Sequence, residues 1–356
     1  MMINKLKVAL RKYPSLYRLA RSAYPAVTFV NAAFKGRRGA KDHLFSTASM
    51  VRQSPRIMGR PVNVTIEPTN ICNLKCPVCE TGAGILDRPD ANMTLEEFKV
   101  FANKIAPSTN TLMFYFMGEP FLNKQSYDMI AYGKSLGIPF ITTCTNGDAV
   151  NPRKIVESGL DEVSFQIGGM TQETHETYRV NSNLARVLEN LRETIRIKRE
   201  RNSQLIVSVG FILMKHNEHQ VDAFHQMVRE VGADDANIID ACVRDMEQGR
   251  KYLTTDTTNW YYDLDSFRKG LLRPKVLPKN ECPWIYYSMS IYVNGDVVPC
   301  CRDTTGKFVM GNLLTQDLEE VWNGEPFQAY RRKLHGKQAE ISICRLCSGY
   351  DVSKLQ

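Results

Sequence analysis

Three cysteines on one short loop constrain this chain more than any other feature. They lie in the run Cys72-Asn73-Leu74-Lys75-Cys76-Pro77-Val78-Cys79. The run follows Val62-Asn63-Val64-Thr65-Ile66-Glu67-Pro68, which alternates like a strand. The loop therefore belongs at a strand's C-terminal end, where barrel enzymes place their chemistry. Thiolates four and three residues apart can wrap one iron–sulfur cube, leaving its fourth iron without a protein ligand. A structural site closes all its positions, so an open iron invites a small molecule. The alternative is a zinc knuckle. Zinc wants four ligands with a second pair nearby, yet no Cys or His follows until Cys144.

From residue 62 to about 240 the pattern alternates between strands (62–67, 111–117, 139–144, 161–167, 205–213, 236–240) and helices (94–105, 123–136, 151–158, 183–201, 217–231). Thr94 with Glu96 and Glu97 opens the first helix, and Asn123, Asn151 and Asn217 are candidate caps for others. Six β/α units with parallel strands and right-handed crossovers predict an α/β fold, a partial (β/α)6 TIM-type barrel. Residues 241–281 read as a bridge without clear period, in which Trp260, Tyr261 and Tyr262 either line a cavity or pack in a core. Ser288–Val293, the turn Asn294-Gly295 and Asp296–Pro299 read as a hairpin with a two-residue type I′ turn. Thr315–Trp322 and Pro326–Leu334 read as short helices.

Net positive charge is confined to one end. Residues 1–60 hold thirteen Lys and Arg against one acid, Asp42, whereas the remainder carries 33 bases and 37 acids. Lys5–Lys12 and Leu16–Arg21 mix basic and apolar residues at helical spacing, broken by Pro14 and Pro25. They read as an arm packed on the barrel or as a peripheral contact with an anionic membrane face. No basic stripe continues into the body, which argues against nucleic acid. No run of about eighteen apolar residues and no secretory signal are visible, so a cytoplasmic enzyme is expected. Ten cysteines then point to metal ligands more than to disulfides.

Met117-Gly118-Glu119-Pro120 follows the second strand, where glycine lets backbone approach a ligand and Glu119 can accept from an ammonium. Thr145-Asn146-Gly147 follows the third, and Val163-Ser164-Phe165-Gln166-Ile167-Gly168-Gly169 leads through a loop to Arg179. Taken in this order after the cysteines, the chain resembles the radical S-adenosylmethionine (radical SAM) superfamily. The resemblance implies that Cys72, Cys76 and Cys79 hold a [4Fe–4S] cluster whose open iron chelates the methionine part of S-adenosyl-L-methionine. Gly118 and Glu119 would hold its amino group, Gln166 its ribose hydroxyls, Arg179 its carboxylate and Leu213 its adenine, with Asn146 a further cofactor-binding residue. Val78 departs from the family, which places an aromatic residue before the third cysteine.

A second cysteine set closes the chain. Cys282 is followed by twelve residues, Gly295, four residues and Cys300, and later by Cys344-Arg345-Leu346-Cys347. Two thiols from a hairpin and a Cys-x-x-Cys can hold one more cluster, leaving Cys301 over, and a zinc ribbon is the other reading. The set resembles the SPASM/Twitch auxiliary-cluster domain, in its single-cluster form nearest to 2-deoxy-scyllo-inosamine dehydrogenase. The expected organisation is a basic extension (1–60), a radical SAM core (61–240), a bridge (241–281) and an auxiliary-cluster domain (282–356). The resemblance implies a 5′-deoxyadenosyl radical, hydrogen abstraction and two-electron oxidation, supplied with electrons by a flavodoxin or ferredoxin. A redox-neutral epimerase with Cys242 as hydrogen donor and a bond-forming enzyme are alternatives, with a sugar, peptide or lipid-linked molecule as substrate. A non-catalytic iron–sulfur or zinc-binding protein is the alternative outside enzymes.

Overall fold

The structure, a computed structural model, describes residues 39–275, 280–345 and 347. The basic segments Lys5–Lys12 and Leu16–Arg21 lie outside the described residues. Six parallel strands form the body: β1 (Asn63–Ile66), β2 (Thr111–Met113), β3 (Phe140–Thr145), β4 (Glu162–Ile167), β5 (Ile206–Leu213) and β6 (Asp235–Asp240). Between them run α1 (Leu95–Ile105), α2 (Ser126–Ser135), α3 (Pro152–Glu157), α4 (Gln172–Tyr178), α5 (Leu184–Glu200) and α6 (Val221–Val231). The sheet order is β6-β5-β4-β3-β2-β1-β7-β8-β9, with β7 (Ser288–Ile291), β8 (Asp296–Val298) and β9 (Gly311–Asn312). It does not close, as expected for a partial barrel. What sequence did not show is that β7 joins the same sheet, parallel to β1 with Thr65 opposite Ser290.

Alternation along the strands separates two faces. Val64, Leu112, Ile141, Val163, Val207 and Ala236 turn to the helix-covered side, most of them completely buried. Opposite them, Thr65, Thr142, Cys144, Glu162, Ser164, Gln166, Ser208 and Asn237 share the other face. The helices bury Phe98, Phe101 and Ile105 of α1 and Val187, Leu191 and Ile195 of α5 against this sheet. Each such side chain contributes about 1.5–3 kcal/mol.

Local chemistry explains the element ends, with some corrections. Thr94 and Glu97 form a capping box on α1, and Asn151 caps α3 by accepting from Lys154 N. Asn123 and Asn217 do not cap helices through their side chains. Both are buried loop staples: Asn123 Nδ2 donates to Pro68 O and Met93 O, and Asn217 Nδ2 to Gly168 O and Ile212 O. Residues 172–178, read as loop, form α4, capped by Thr171 accepting from Thr174 N. The hairpin also differs. Ile291 pairs with Val297, and Gly295 N donates to Tyr292 O, giving a three-residue loop in which only Gly295 is left-handed (φ 86°). A type I turn with a glycine bulge replaces the type I′ turn, because Asn294 is not left-handed as that turn requires.

The bridge folds over the first cysteine loop. Leu74, Cys76 and Val78 pack in one apolar cluster with Tyr178, Met214, Val243, Trp260 and Tyr262. Tyr262 is fully buried and Trp260 donates to Thr254 O, so these two aromatics are core, while Tyr261 is partly buried. No helix among the described residues is long and apolar enough to cross a membrane.

Candidate active site

The cysteine loop leaves β1 and is tied back on itself. Thr69 Oγ1 donates to Ala91 O, Asn70 Nδ2 to Pro89 O, and Ala91 N to Asn70 Oδ1. Within it, Cys79 N donates to Cys76 O and Ala83 N to Cys79 O, so the second and third thiols share one turn. Gly82 seals that turn: a Cβ there would lie 2.5 Å from Cys76 N and O. Cys76 is buried, while Cys72 and Cys79 are half-buried. Burial pushes the Cys72 thiol up to about 12 against the hydrogen bond from Leu74 N, and raises Cys76 against the nearby Arg179 guanidinium. Such thiols keep their protons until a metal takes their place.

Glu119 meets this loop from β2. Gly118 (φ 77°) lies so close to it that a Cβ would meet Thr69 O at 2.5 Å, and Glu119 N donates to Ile71 O at 2.8 Å. The Glu119 carboxylate, 3% exposed, accepts from Thr145 Oγ1 (2.7 Å) and Asn146 N (2.7 Å). Burial pushes it up to about 7 despite those bonds. Asn146 Nδ2 donates to Asn73 Oδ1 at 2.9 Å and stands 4.0 Å from Cys72 Sγ. Gly118→Ala is expected to destabilise the fold by about 1–3 kcal/mol, since it combines left-handed backbone with a backbone clash. A lowered thermal midpoint of the apoprotein measures this.

Gln166 Nε2 donates to Ser164 Oγ, and its amide lies over Gly210, where a Cβ would come within 2.5 Å. It therefore sits on the polar face of the sheet. Arg179 ends α4, packed against Gly168 and near enough to Cys76, Cys79 and Cys144 to act on their charge. Its Nε is buried without a partner. Its backbone is anchored by a polar chain: His175 Nε2 meets Ser182 Oγ at 2.8 Å, and that hydroxyl donates to Asp148 Oδ2 at 2.5 Å. Leu213 lines a small cavity with Asp240, Ala241, Trp260 and Tyr261.

The second thiol set lies beyond β7. Cys282, Cys300 and Cys344 influence one another's charge, and Cys344 also feels Cys347. Burial raises Cys300 well above an ordinary thiol and Cys344 up to about 12. Tyr330 OH stands 3.0 Å from Cys344 Sγ. Cys301 is exposed. Cys242 is exposed too, held by Arg302 Nη1 (3.3 Å) and Tyr262 OH (3.5 Å). Among the described residues no three His, Cys, Asp or Glu side chains are close enough to hold one metal ion.

These residues fit the implied groups on three counts. Both thiol sets are all-sulfur donors in buried surroundings, which suits iron–sulfur clusters. The orphaned Arg179 N–H matches a carboxylate, and the buried Glu119 carboxylate, bonded by the neutral donors of Thr145 and Asn146, matches an ammonium. Sequence reasoning missed Asp148, His175, Ser182, Arg302 and Tyr330, and the bond from Thr145 to Glu119. Asp148 and Arg302 stand directly beside motifs, Thr145-Asn146-Gly147 and the Cys300-Cys301 pair, but their partners are set by the fold.

Comparison with known proteins agrees with this geometry. The family model described as the radical SAM superfamily matches residues 66–228, and SPASM, the iron–sulfur cluster-binding domain, matches 282–348. The AdoMet-dependent heme synthase of Methanosarcina barkeri is 22% identical over 327 residues, 81% of this chain and 90% of that protein. The S-adenosyl-L-methionine-dependent 2-deoxy-scyllo-inosamine dehydrogenase of Niallia circulans is 32% identical over 63 residues, 17% of this chain and 25% of that protein. Streptococcus suis SuiB bound to precursor peptide SuiA has a similar structure, with a TM-score of 0.59 at 14% identity, covering 87% of this chain and 75% of that one.

Proposed function

The chain belongs to the radical SAM superfamily and carries a SPASM iron–sulfur domain, and from that premise we propose that it is an oxidoreductase that removes two electrons from its substrate. Its cofactors are S-adenosyl-L-methionine, a [4Fe–4S] cluster and an auxiliary cluster. When bound, the first two supply a 5′-deoxyadenosyl radical that takes a substrate hydrogen, and the auxiliary cluster supplies an acceptor for the second electron. A flavodoxin or ferredoxin suits the role of initial donor.

In this reading Cys72, Cys76 and Cys79 hold the first cluster, and Cys282, Cys300, Cys344 and Cys347 the second. Glu119 takes the ammonium of the cofactor, positioned by Gly118, and Arg179 its carboxylate. Asn146 and Gln166 orient the ribose and Leu213 packs on the base. The polar face of the sheet, with Thr142, Ser164 and Ser208 beside Glu162, suits a substrate rich in hydroxyls or amides, such as an aminocyclitol or a peptide.

The observation that carries the oxidative reading is the second thiol set. Four cysteines leave no iron open to substrate, so the group they hold serves as an electron outlet. Anaerobic reconstitution is expected to give about eight iron per chain, and about four would sink the reading. Reductant plus S-adenosylmethionine should release 5′-deoxyadenosine; none released would count equally against it.

Glu119→Gln is expected to weaken S-adenosylmethionine binding by about 10- to 150-fold, the 1.5–3 kcal/mol of a charge-assisted hydrogen bond. Because burial sets the Glu119 carboxyl at about 7, its proton must leave before it can hold an ammonium. Wild-type affinity therefore rises as pH climbs through about 7, with proton release on binding, and the variant's does not. Titration calorimetry in buffers of different ionisation enthalpy reads both.

A second reading rests on Cys242, whose exposed thiol beside Arg302 and Tyr262 could return a hydrogen to a substrate radical. Product formed in deuterated solvent by Cys242→Ala decides it. Unchanged product and deuterium content remove the thiol-donor idea.

A further inference from the structure

One buried ion pair ties together the loops that carry the two thiol sets. Glu67, the residue after β1, is fully buried and receives Arg88 through two parallel bonds, Nη1 to Oε2 at 2.7 Å and Nη2 to Oε1 at 2.6 Å. These two residues bracket the first cysteine loop, standing before Cys72 and after Cys79. Arg88 also reaches the second set: its Nε donates to Thr304 O at 2.9 Å, just beyond Cys300. Its guanidinium lies 3.8 Å from the centre of the Tyr292 ring, which in turn stacks on Phe116, just before Gly118. Tyr292 OH donates to Asp303 O and accepts from Gly306 N at 2.9 Å. Val293 N adds a bond to Glu67 Oε2.

We propose that Arg88 and Tyr292 are positioning residues that fix the spacing between the two thiol-bearing loops, and so the rate at which the substrate radical formed beside the first loop gives up its second electron to the group held by the second, which is reduced by one electron. This rests on the oxidative reading above. A buried pair is a weak source of stability, because desolvation offsets much of its attraction. What a bidentate guanidinium supplies instead is direction, and here its donors point to both loops at once. Electron transfer falls steeply with distance, so small slack between the loops matters more than lost stability.

The test uses the full chain, anaerobically loaded, as wild type, Tyr292→Phe and the double variant Glu67→Gln with Arg88→Met, which leaves no orphaned charge. Iron content is read first, then the spin–spin interaction between the two reduced clusters by electron paramagnetic resonance. The ratio of 5′-deoxyadenosine to oxidised product follows. Both variants are expected to hold about eight iron, to show a weakened or heterogeneous interaction, and to form severalfold more 5′-deoxyadenosine per product. Should the double variant lose iron, Tyr292→Phe, which keeps the ring and the ion pair, decides alone. Full iron with an unchanged interaction and ratio overturns the proposal and leaves the oxidative reading standing. Wild type holding about four iron overturns both.

Discussion

Cys76→Ala is expected to abolish release of 5′-deoxyadenosine and to halve bound iron, from about eight to about four per chain. Cys76 is the most buried of its three thiols and the one around which the loop turns, with Gly82 pressed on its backbone and Cys79 N on its carbonyl. Removing its sulfur leaves two thiolates, too few to hold a cube against its open iron. Alanine in place of a small buried side chain costs only about 1–2 kcal/mol, so the apoprotein should still fold. Iron analysis with quantification of 5′-deoxyadenosine checks this. Full iron content in the variant would overturn the ligand assignment.

Cys300→Ala should separate the two halves of the chemistry. Its iron is again expected to fall to about four, yet 5′-deoxyadenosine should still form, because the first loop is untouched. Oxidised product should fall by more than about 100-fold, beyond the 10–100-fold typical of residues that only support a ligand. The thiol is raised well above the ordinary range by burial, with Cys282 and Cys344 near enough to add to it. Such a group carries charge only when a metal compensates it. The comparison also divides the readings: product formation that survives loss of the second cluster would turn the proposal towards Cys242 and redox-neutral chemistry.

What sequence made legible was what short spacing controls. The cysteine loop, Glu119 after β2 and Asn146 after β3 are each set by one strand end, so their order along the chain mirrors their meeting in space. The six parallel strands followed from alternation, since buried Val, Ile and Phe repeat at the strand period. The partners that hold these residues were not legible. Arg88 sits in Ile85-Leu86-Asp87-Arg88-Pro89-Asp90, a stretch that reads as solvated loop. Only the fold brings Glu67, Tyr292 and Thr304 around it. Asn123 and Asn217 have the chemistry of caps, but nearby carbonyls of other loops claim their amides. The hairpin was misread by one residue because Asn-Gly suits a two-residue turn, and only pairing of Ile291 with Val297 reveals the longer one.

The placement of β7 beside β1 bears on how this protein comes apart. β1 has hydrogen-bonding neighbours on both sides, β2 and β7, so it is an interior strand only while the C-terminal region is present. Cutting the chain before residue 282 would strip one side of β1 and leave a bare row of amides and carbonyls, a template for self-association. The two iron–sulfur regions are thus successive stretches of one sheet rather than modules on a string. They should melt in a single transition, and loss of metal from one should loosen the other.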